Sequence, residues 1–326
     1  MFSEKKPLIV LTGPTAVGKT SLSIQLAKAV NGEIISADSM QVYRHMDIGS
    51  AKITLEEMEN IPHHLIDILN PDEDFNVVTF QKLAKIAADD IWMRGKIPIV
   101  AGGTGFYIQA LLYDIDFTEN EEKGSEKNPI RQELEDLAVS SGSQAPAVLH
   151  GILRETDPEA ASQIHPNNIK RVIRAIEYFR QTGEKISQHN EAMHQKESPY
   201  HFLYYVLNTD RARLYDRIDR RVDRMIEQGL VDEVQHLKDM GCHRGQTSMQ
   251  GLGYKEILDH LEGKCSLEEA VYILKRDTRH FAKRQLTWFR RERQVRWIEL
   301  SGAADDTSNA LKQILKDCVN EGIVLQ

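Results

Sequence analysis

The part of the sequence that most restricts the fold is residues 13–20, Gly-Pro-Thr-Ala-Val-Gly-Lys-Thr, which match the phosphate-loop pattern G-x-x-x-x-G-K-[ST]. An apolar run, Leu8–Leu11, precedes this loop, and residues 21–30 follow it with the apolar spacing of a helix. This order predicts a strand, a tight turn and a helix, the unit from which parallel α/β sheets are built.

The loop has the chemistry of an anion site. Its glycines allow backbone N–H groups to converge, and the N-terminus of the following helix adds partial positive charge. Lys19 adds a full charge, and the Thr20 hydroxyl can coordinate Mg²⁺. The pattern is typical of ATP-binding and other nucleotide-binding proteins, and by itself it leaves open which diphosphate or triphosphate is bound. The predicted binding residues are Gly13, Pro14, Thr15, Ala16, Val17, Gly18, Lys19 and Thr20.

Strand and helix patterns alternate over about the first 115 residues. Strands are predicted at 33–38 and 97–101, and helices at 78–94 and 106–113. We therefore expect a parallel sheet with helical crossovers, in which ligands bind at the carboxyl ends of the strands. Asp38 and Thr104 each lie at or just past a predicted strand end, so both should line one crevice with the phosphate loop.

The pattern changes near residue 118, after which only helix signals occur until a strand at 202–207. We predict a phosphate-loop NTPase-like α/β core formed by residues 1–119 and 196–326, with a helical insertion domain at 120–195. In the second part of the core, arginines 213, 217, 220 and 224 form a stripe along one helix, although intrahelical ion pairs with nearby aspartates are an equally good explanation. A capping box, Ser266-x-x-Glu269, begins a long helix.

The charge of the chain is unevenly distributed. The net charge of the 326 residues is −8, yet the segment from Lys275 to Arg296 carries nine basic and two acidic residues, a local net charge of +7. Such a segment is typical of a polyanion site. The alternative is a solvated helix face without a binding role.

An aspartate at a strand end can bind Mg²⁺ or act as a general base. The more apolar strand, 97–101, ends in Gly102–Gly105 without an acid, which disfavours an ATPase with the usual metal-binding aspartate. A transfer enzyme in which Asp38 takes a proton fits better. Two alternatives remain, a small-molecule kinase in which Asp38 binds the acceptor hydroxyl and a non-catalytic, nucleotide-gated RNA-binding module. For the pair His63-His64, we expect packing or hydrogen bonding rather than metal binding.

Seven motifs together resemble the tRNA dimethylallyltransferase (tRNA isopentenyltransferase) family of bacteria, over nearly the whole chain. They are residues 13–20 (GPTAVGKT), 36–43 (SADSMQVY), 61–67 (IPHHLID), 102–105 (GGTG), 165–174 (HPNNIKRVIR), 251–256 (GLGYKE) and 278–289 (TRHFAKRQLTWF).

The resemblance implies transfer of a dimethylallyl group from dimethylallyl diphosphate to N6 of adenosine 37, beside the tRNA anticodon. The phosphate loop and Mg²⁺ would hold the diphosphate, with Asp38, Thr104 and Arg217 as the catalytic residues. The anticodon stem-loop would be bound with its adenine flipped out of the stack. The implied tRNA-contacting residues are Asp38, Ser39, Met40, Gln41, Lys170, Arg171, Arg174, Lys283 and Arg284.

The composition bears on location and assembly. No apolar stretch approaches the ~18 residues that span a membrane, so we expect no membrane partner. The three cysteines have neither C-x-x-C nor other metal-site spacing, which favours reduced thiols in a cytoplasmic protein. We expect the protein to be a monomer.

Overall fold

The computed structural model of the chain describes residues 5–117, 128–303 and 306–323. The chain divides into two compact units, one formed by Met1–Asp114 with Ser198–Gln326 and the other by Ile115–Glu197. Residues 118–127, where the predicted insertion begins, lie outside the described residues. The role of residues 120–195 as an RNA-contacting domain stays a prediction.

The first unit contains a six-stranded sheet in which every paired strand is parallel. The predicted parallel α/β fold is therefore confirmed. Alternate residues of the first strand face opposite sides, and each side is covered by a separate apolar cluster, which explains why this strand reads as a continuous apolar run. The strands, in the spatial order β3-β2-β4-β1-β5-β6, are β1 (Lys6–Thr12), β2 (Gly32–Ala37), β3 (His63–His64), β4 (Ile97–Gly102), β5 (Tyr200–Thr209) and β6 (Val295–Leu300).

The helices agree closely with the sequence patterns where these were predicted. Asp210 and Ser266 cap their helices as expected, since each side chain accepts a backbone N–H of the first turn. In chain order the α-helices are α1 (Lys19–Ala29), α2 (Val77–Met93), α3 (Gly105–Leu112), α4 (Pro129–Ser141), α5 (Ala145–Thr156), α6 (Pro158–Gln163), α7 (Ile169–Thr182), α8 (Ile186–Gln195), α9 (Arg211–Glu227), α10 (Leu230–Asp239), α11 (Tyr254–Leu261), α12 (Leu267–Phe289) and α13 (Asp306–Asn320).

The second unit consists of helices α4 to α8 around its own apolar cluster, which includes Leu134, Leu149 and Ile176. Its helix α7 is amphipathic, with Val172 and Ile176 buried and Arg171 on the exposed side. Across the described parts of both units, no helix combines the length and apolarity needed to cross a membrane.

The register of the sheet brings three strand ends together. Gly102 at the end of β4 lies opposite Thr12 of β1 on one side and Ala37 of β2 on the other. A Cβ on Gly102 would lie 2.2 Å from the carbonyl oxygen of Ala37, so only glycine fits this close approach. The phosphate loop, Asp38 and the turn after β4 therefore begin at one edge of the sheet.

A buried carboxylate of β2 joins this strand to β3 and to the turn before β4. Glu33 of β2 is fully buried and accepts hydrogen bonds from Arg94, Lys96 and His64. Burial alone would raise the pKa of Glu33, but these donors outweigh it and lower the pKa to about 2. The neighbouring His63 pairs through Nδ1 with the Ile61 carbonyl at 2.8 Å. Both histidines thus serve hydrogen bonding, and the described residues contain no group of three or more metal-ligating side chains.

We expect Glu33→Gln to lower the free energy of unfolding by about 1–3 kcal/mol at pH 7. The loss stays moderate because Arg94 and Lys96 are 39% and 31% exposed and can be solvated. The pKa of Glu33 is lower in the folded protein than its ordinary value of 4.5. The stabilisation is therefore complete above about pH 4.5 and is lost as the pH falls towards 2. Urea unfolding at several pH values measures it. Asp89→Asn, in the exposed pair with Lys6, is the control with little expected effect. A Glu33→Gln variant as stable as the wild type at pH 7 would contradict this account.

Candidate active site

The phosphate loop curls between β1 and α1. Gly13 and Gly18 have φ angles of +148° and +114°, which side-chain-bearing residues rarely adopt. A Cβ on Gly13 would also lie 2.5 Å from the carbonyl oxygen of Leu207 in β5. The conformation that turns the loop back on itself therefore requires glycine at both predicted positions.

Lys19 folds over the loop. Its Nζ donates to the carbonyls of Gly13 and Pro14, both at 2.9 Å. Burial lowers the pKa of Lys19 to about 7, and the nearby Arg221 guanidinium adds to this effect while Asp38 opposes it. An anion bound beside Lys19 would favour the charged ammonium again.

Two arginines of α9 contact the loop. Arg217 donates from Nη1 to the carbonyl of Val17 at 3.3 Å, and Arg221 donates from Nη1 to the Thr15 hydroxyl at 3.1 Å. Burial and the adjacent Arg224 charge lower the pKa of Arg221. Arg217 was predicted from the sequence, whereas Arg221 was not. Its spacing of four residues from Arg217 is the signal that could have identified it.

A wide cavity of about 920 Å³ lies above the loop. Thr20 lines it, together with five basic residues and four acidic ones. They are Lys19, Arg217, Arg220, Arg221 and Arg224, and Asp38, Glu57, Asp223 and Glu227. We call it the cationic cavity because its basic residues outnumber its acidic ones. Five of the eight predicted phosphate-loop residues, Thr15, Ala16, Gly18, Lys19 and Thr20, thus face one space with the predicted catalytic carboxylate.

A second cavity of about 410 Å³ is more apolar and shares Thr15, Asp38, Gly103, Arg221 and Phe281 with the first, among other residues. The residues that give it this character include Met40, Phe75, Tyr107, Met225 and Leu252. The predicted residues Ser39, Thr104 and Arg284 also line it. Asp38 therefore borders both a cationic and an apolar space.

The carboxylate of Asp38 is held by its own turn. Oδ1 accepts the backbone N–H of Met40 at 2.9 Å and that of Gln41 at 3.4 Å. Within the described residues, Oδ2 makes no hydrogen bond, so it can receive a proton. Gln41 continues the turn by donating from Nε2 to the Ala51 carbonyl at 3.3 Å. Thr104 lies close by, because its backbone N–H donates to the carbonyl of Ala37 at 3.1 Å.

A further contact network was not predicted. The Glu233 carboxylate accepts the backbone N–H groups of Asp47, Ile48 and Gly49 at 2.7–3.0 Å. It also accepts the Tyr254 hydroxyl at 2.8 Å. This network fixes the loop that places Ser50 and Ala51 along both cavities. The motif 251–256 contains Tyr254, but nothing in its pattern indicates Glu233 as the partner.

The basic residues of α12 divide into two groups. Lys275 and Arg279 pair with Asp223 and Asp219 of α9, both at 2.5 Å. Lys283 and Arg284 instead remain exposed, and the Arg284 guanidinium lies 5.7 Å from the centre of the Phe281 ring. Part of the basic segment 275–296 therefore holds helices α9 and α12 together.

The remaining predicted RNA-contacting residues, Lys170, Arg171 and Arg174, are exposed on α7 of the second unit. Their contact with RNA stays a prediction.

The fold and cavities define a phosphate-loop protein of the parallel α/β class with a general-base candidate beside the loop. Family models described as IPP transferase and as isopentenyl transferase match residues 41–292 and 6–68 of the chain. The chain belongs to the IPP transferase family.

Relatives resemble the chain over nearly its full length. Proteins named tRNA dimethylallyltransferase from Lachnoclostridium phytofermentans and Alkaliphilus oremlandii are 60% and 52% identical, with 98% and 96% of this chain and 99% and 97% of theirs covered. A crystal structure of a tRNA isopentenylpyrophosphate transferase from Bacillus halodurans has a TM-score of 0.71 at 44% identity, covering 98% of each chain. A eukaryotic dimethylallyltransferase acting on tRNA has a TM-score of 0.81 at 30% identity, covering 98% of this chain and 81% of its own.

We expect Arg221→Ala to weaken binding of inorganic diphosphate by about 10–100-fold, because a charged hydrogen-bond donor is lost from the cationic cavity. Isothermal titration with diphosphate and Mg²⁺ measures this. Arg211→Ala is the matched control, since Arg211 is exposed at the start of the same helix and packs on Tyr215. An equal effect of the two variants would mean that total charge, not the position of Arg221, governs binding.

Proposed function

We propose that the protein transfers the dimethylallyl group of dimethylallyl diphosphate to N6 of adenosine 37 in tRNA and releases diphosphate. The observation that carries this proposal is that Asp38 borders both the cationic cavity of the phosphate loop and the apolar cavity. The relatives named tRNA dimethylallyltransferase support it as well.

The reaction is a displacement at C1 of the prenyl group. The N6 lone pair forms a bond to C1, the bond from C1 to the bridging oxygen breaks, and its electron pair leaves with the diphosphate. Oδ2 of Asp38 then accepts a proton from N6, while Oδ1 stays fixed by the backbone N–H groups of its turn. Thr104 lines the same apolar cavity as Asp38, and we assign it the role of positioning the groups around the acceptor N6.

The leaving diphosphate needs positive charge. Lys19, Arg217 and Arg221 would supply it together with the backbone N–H groups of the phosphate loop. Charge that develops on the bridging oxygen as the C1–O bond breaks is stabilised by these fixed donors. Arg217 and Arg221 already contact the loop, whereas Lys19 must exchange the carbonyls of Gly13 and Pro14 for the bound diphosphate. Once the diphosphate is bound, little further reorganisation is needed during the reaction.

The residues also fit a magnesium ion bound together with its substrate. Mg²⁺ usually takes one or two protein oxygens, with phosphate oxygens and water completing its shell. The Thr20 hydroxyl would hold it, and both Thr20 and Asp38 line the cationic cavity and a small cavity of about 60 Å³ beside it. When bound, the ion supplies additional neutralisation of the diphosphate charge.

The acceptor adenine must leave its stack to reach Asp38, so we propose that it flips into the apolar cavity. Ser39, Met40 and Gln41 follow Asp38 directly and would contact the adenine or its neighbours. The stem-loop backbone would be bound by the exposed cations Lys283 and Arg284 and by those of α7, Lys170, Arg171 and Arg174.

We further propose that the protein works as a cytoplasmic monomer. Cys242, Cys265 and Cys318 are free thiols, as a reducing compartment maintains them.

Incubation of unmodified tRNA with labelled dimethylallyl diphosphate and Mg²⁺ tests the function. Nuclease mapping should locate the label on adenosine 37, and a tRNA with guanosine at that position should stay unlabelled. A parallel reaction with γ-labelled ATP and candidate small-molecule acceptors tests the kinase alternative. Label on another nucleotide, or phosphoryl transfer without prenyl transfer, would overturn the proposal.

Asp38→Asn should lower the rate of prenyl transfer by about 10²–10⁴-fold, because asparagine cannot accept the N6 proton. Its side-chain oxygen can still accept the Met40 N–H, so the turn should persist. Single-turnover kinetics measure the rate, and filter binding should give a tRNA Kd within a few-fold of the wild type. A near-normal rate would exclude Asp38 as the base.

Lys283→Ala combined with Arg284→Ala should weaken tRNA binding and flatten its salt dependence. Each lost phosphate contact should reduce the slope of log K against log salt by about 0.7–0.9. The control is Lys312→Ala with Lys316→Ala, which removes the same charge from exposed positions of α13. If both double variants change the slope equally, the cations of α12 form only a solvated face.

A further inference from the structure

We propose that Gln285 of α12 is a positioning residue that joins the phosphate loop to the turn after β4. The inference rests on the proposed function, since it concerns how the diphosphate and acceptor sides of that site are held together. The Gln285 Oε1 accepts the backbone N–H of Thr15 at 2.9 Å, and its Nε2 donates to the carbonyl of Gly103 at 2.9 Å. One side-chain amide thus bridges the two loops.

The bridge is specific to an amide. One partner is a donor and the other is an acceptor, so the side chain must both accept and donate. Gln285 is 6% exposed and Gly103 is buried, so water cannot readily replace the bond to Gly103, whereas Thr15 is half-buried. A carboxylate can accept from Thr15 but cannot donate to Gly103, and an apolar side chain can do neither.

The turn after β4 is shaped around this helix. A Cβ on Gly103 would lie 2.3 Å from Nε2 of Gln285, and one on Gly105 would lie 2.3 Å from the ring of Trp288. Gln285 and Trp288 are three residues apart and therefore share one face of α12. The glycines of the Gly-Gly-Thr-Gly motif allow that face to approach the backbone.

The bridge bears on both sides of the proposed reaction. It fixes the backbone of Thr15, whose hydroxyl accepts a hydrogen bond from Arg221 in the cationic cavity. Through Gly103 it fixes the residue before Thr104, which lines the apolar cavity. Gln285 therefore sets the distance between the leaving group and the acceptor, and a displacement of about 1 Å can cost on the order of 10²-fold in rate.

Three variants test the proposal. Gln285→Met keeps the length and removes both hydrogen bonds, Gln285→Glu keeps the acceptor, and Gly103→Ala forces the amide aside. The control is Gln81→Met, because Gln81 is also a buried glutamine, 8% exposed, that donates to a backbone carbonyl, Ala110.

We expect Gln285→Met and Gly103→Ala to lower kcat/KM for dimethylallyl diphosphate by about 10–100-fold and to weaken inorganic diphosphate binding. The tRNA Kd should change by no more than a few-fold. Gln81→Met should lower Tm with kinetics unchanged for the folded enzyme. If Gln285→Met behaves like Gln81→Met, Gln285 has only a structural role.

The pH profile of Gln285→Glu gives an independent readout. A protonated carboxyl can both accept and donate, so activity relative to the wild type should rise as the pH falls through the pKa of the new carboxyl. A pH-independent ratio would overturn the proposal. If Gln285→Met fails to fold, the kinetics of Gly103→Ala and the pH profile of Gln285→Glu test the proposal instead.

If the wild type transfers no prenyl group, the proposed function fails. The effect of the variants on diphosphate binding then still tests the role of Gln285.

Discussion

The close backbone contact of β2 and β4 at Gly102 is the constraint on which the site depends. Gly102 accepts the Thr12 hydroxyl at 2.6 Å from one side and leaves no room for a Cβ beside Ala37 on the other. A side chain here would separate the strand that carries Asp38 from the strand that leads into the phosphate loop. Backbone packing therefore places the three strand ends side by side, and the Gln285 bridge then adjusts the spacing between the phosphate loop and the turn after β4.

Helices α9 and α12 complete the site from outside the sheet, and their charges serve two purposes. Arg279 and Lys275 pair with aspartates of α9, which holds the helices side by side. With α9 held in this way, Arg217 and Arg221 reach the phosphate loop. A run that looks uniformly basic in sequence is thus partly a contact between helices and partly an exposed surface, to which we assign the proposed contact with tRNA.

The sequence predicted the parallel sheet and the gathering of the phosphate loop, Asp38 and Thr104, because these follow from local motifs and from a rule about strand ends. It did not predict Arg221 or Gln285. Their partner Thr15 lies 206 and 270 residues away along the chain. The helical spacing places Arg221 on the same face as Arg217, but it does not show that this face contacts the phosphate loop. Glu233 is a similar case, since its partners are backbone N–H groups of a distant loop, which carry no sequence signature.

The cations around the phosphate loop repel one another, and this repulsion favours binding of an anion. The pKa of Lys19 is lowered by burial and by Arg221, and that of Arg221 by burial and by Arg224 and Arg217. The ammonium of Lys19 meanwhile donates hydrogen bonds to two carbonyls of its own loop. A bound diphosphate relieves the repulsion and offers Lys19 a stronger, charged acceptor. Charge on the diphosphate increases as the C1–O bond breaks, so the same cations attract the transition state more strongly than the ester, which is the condition for catalysis rather than for binding alone.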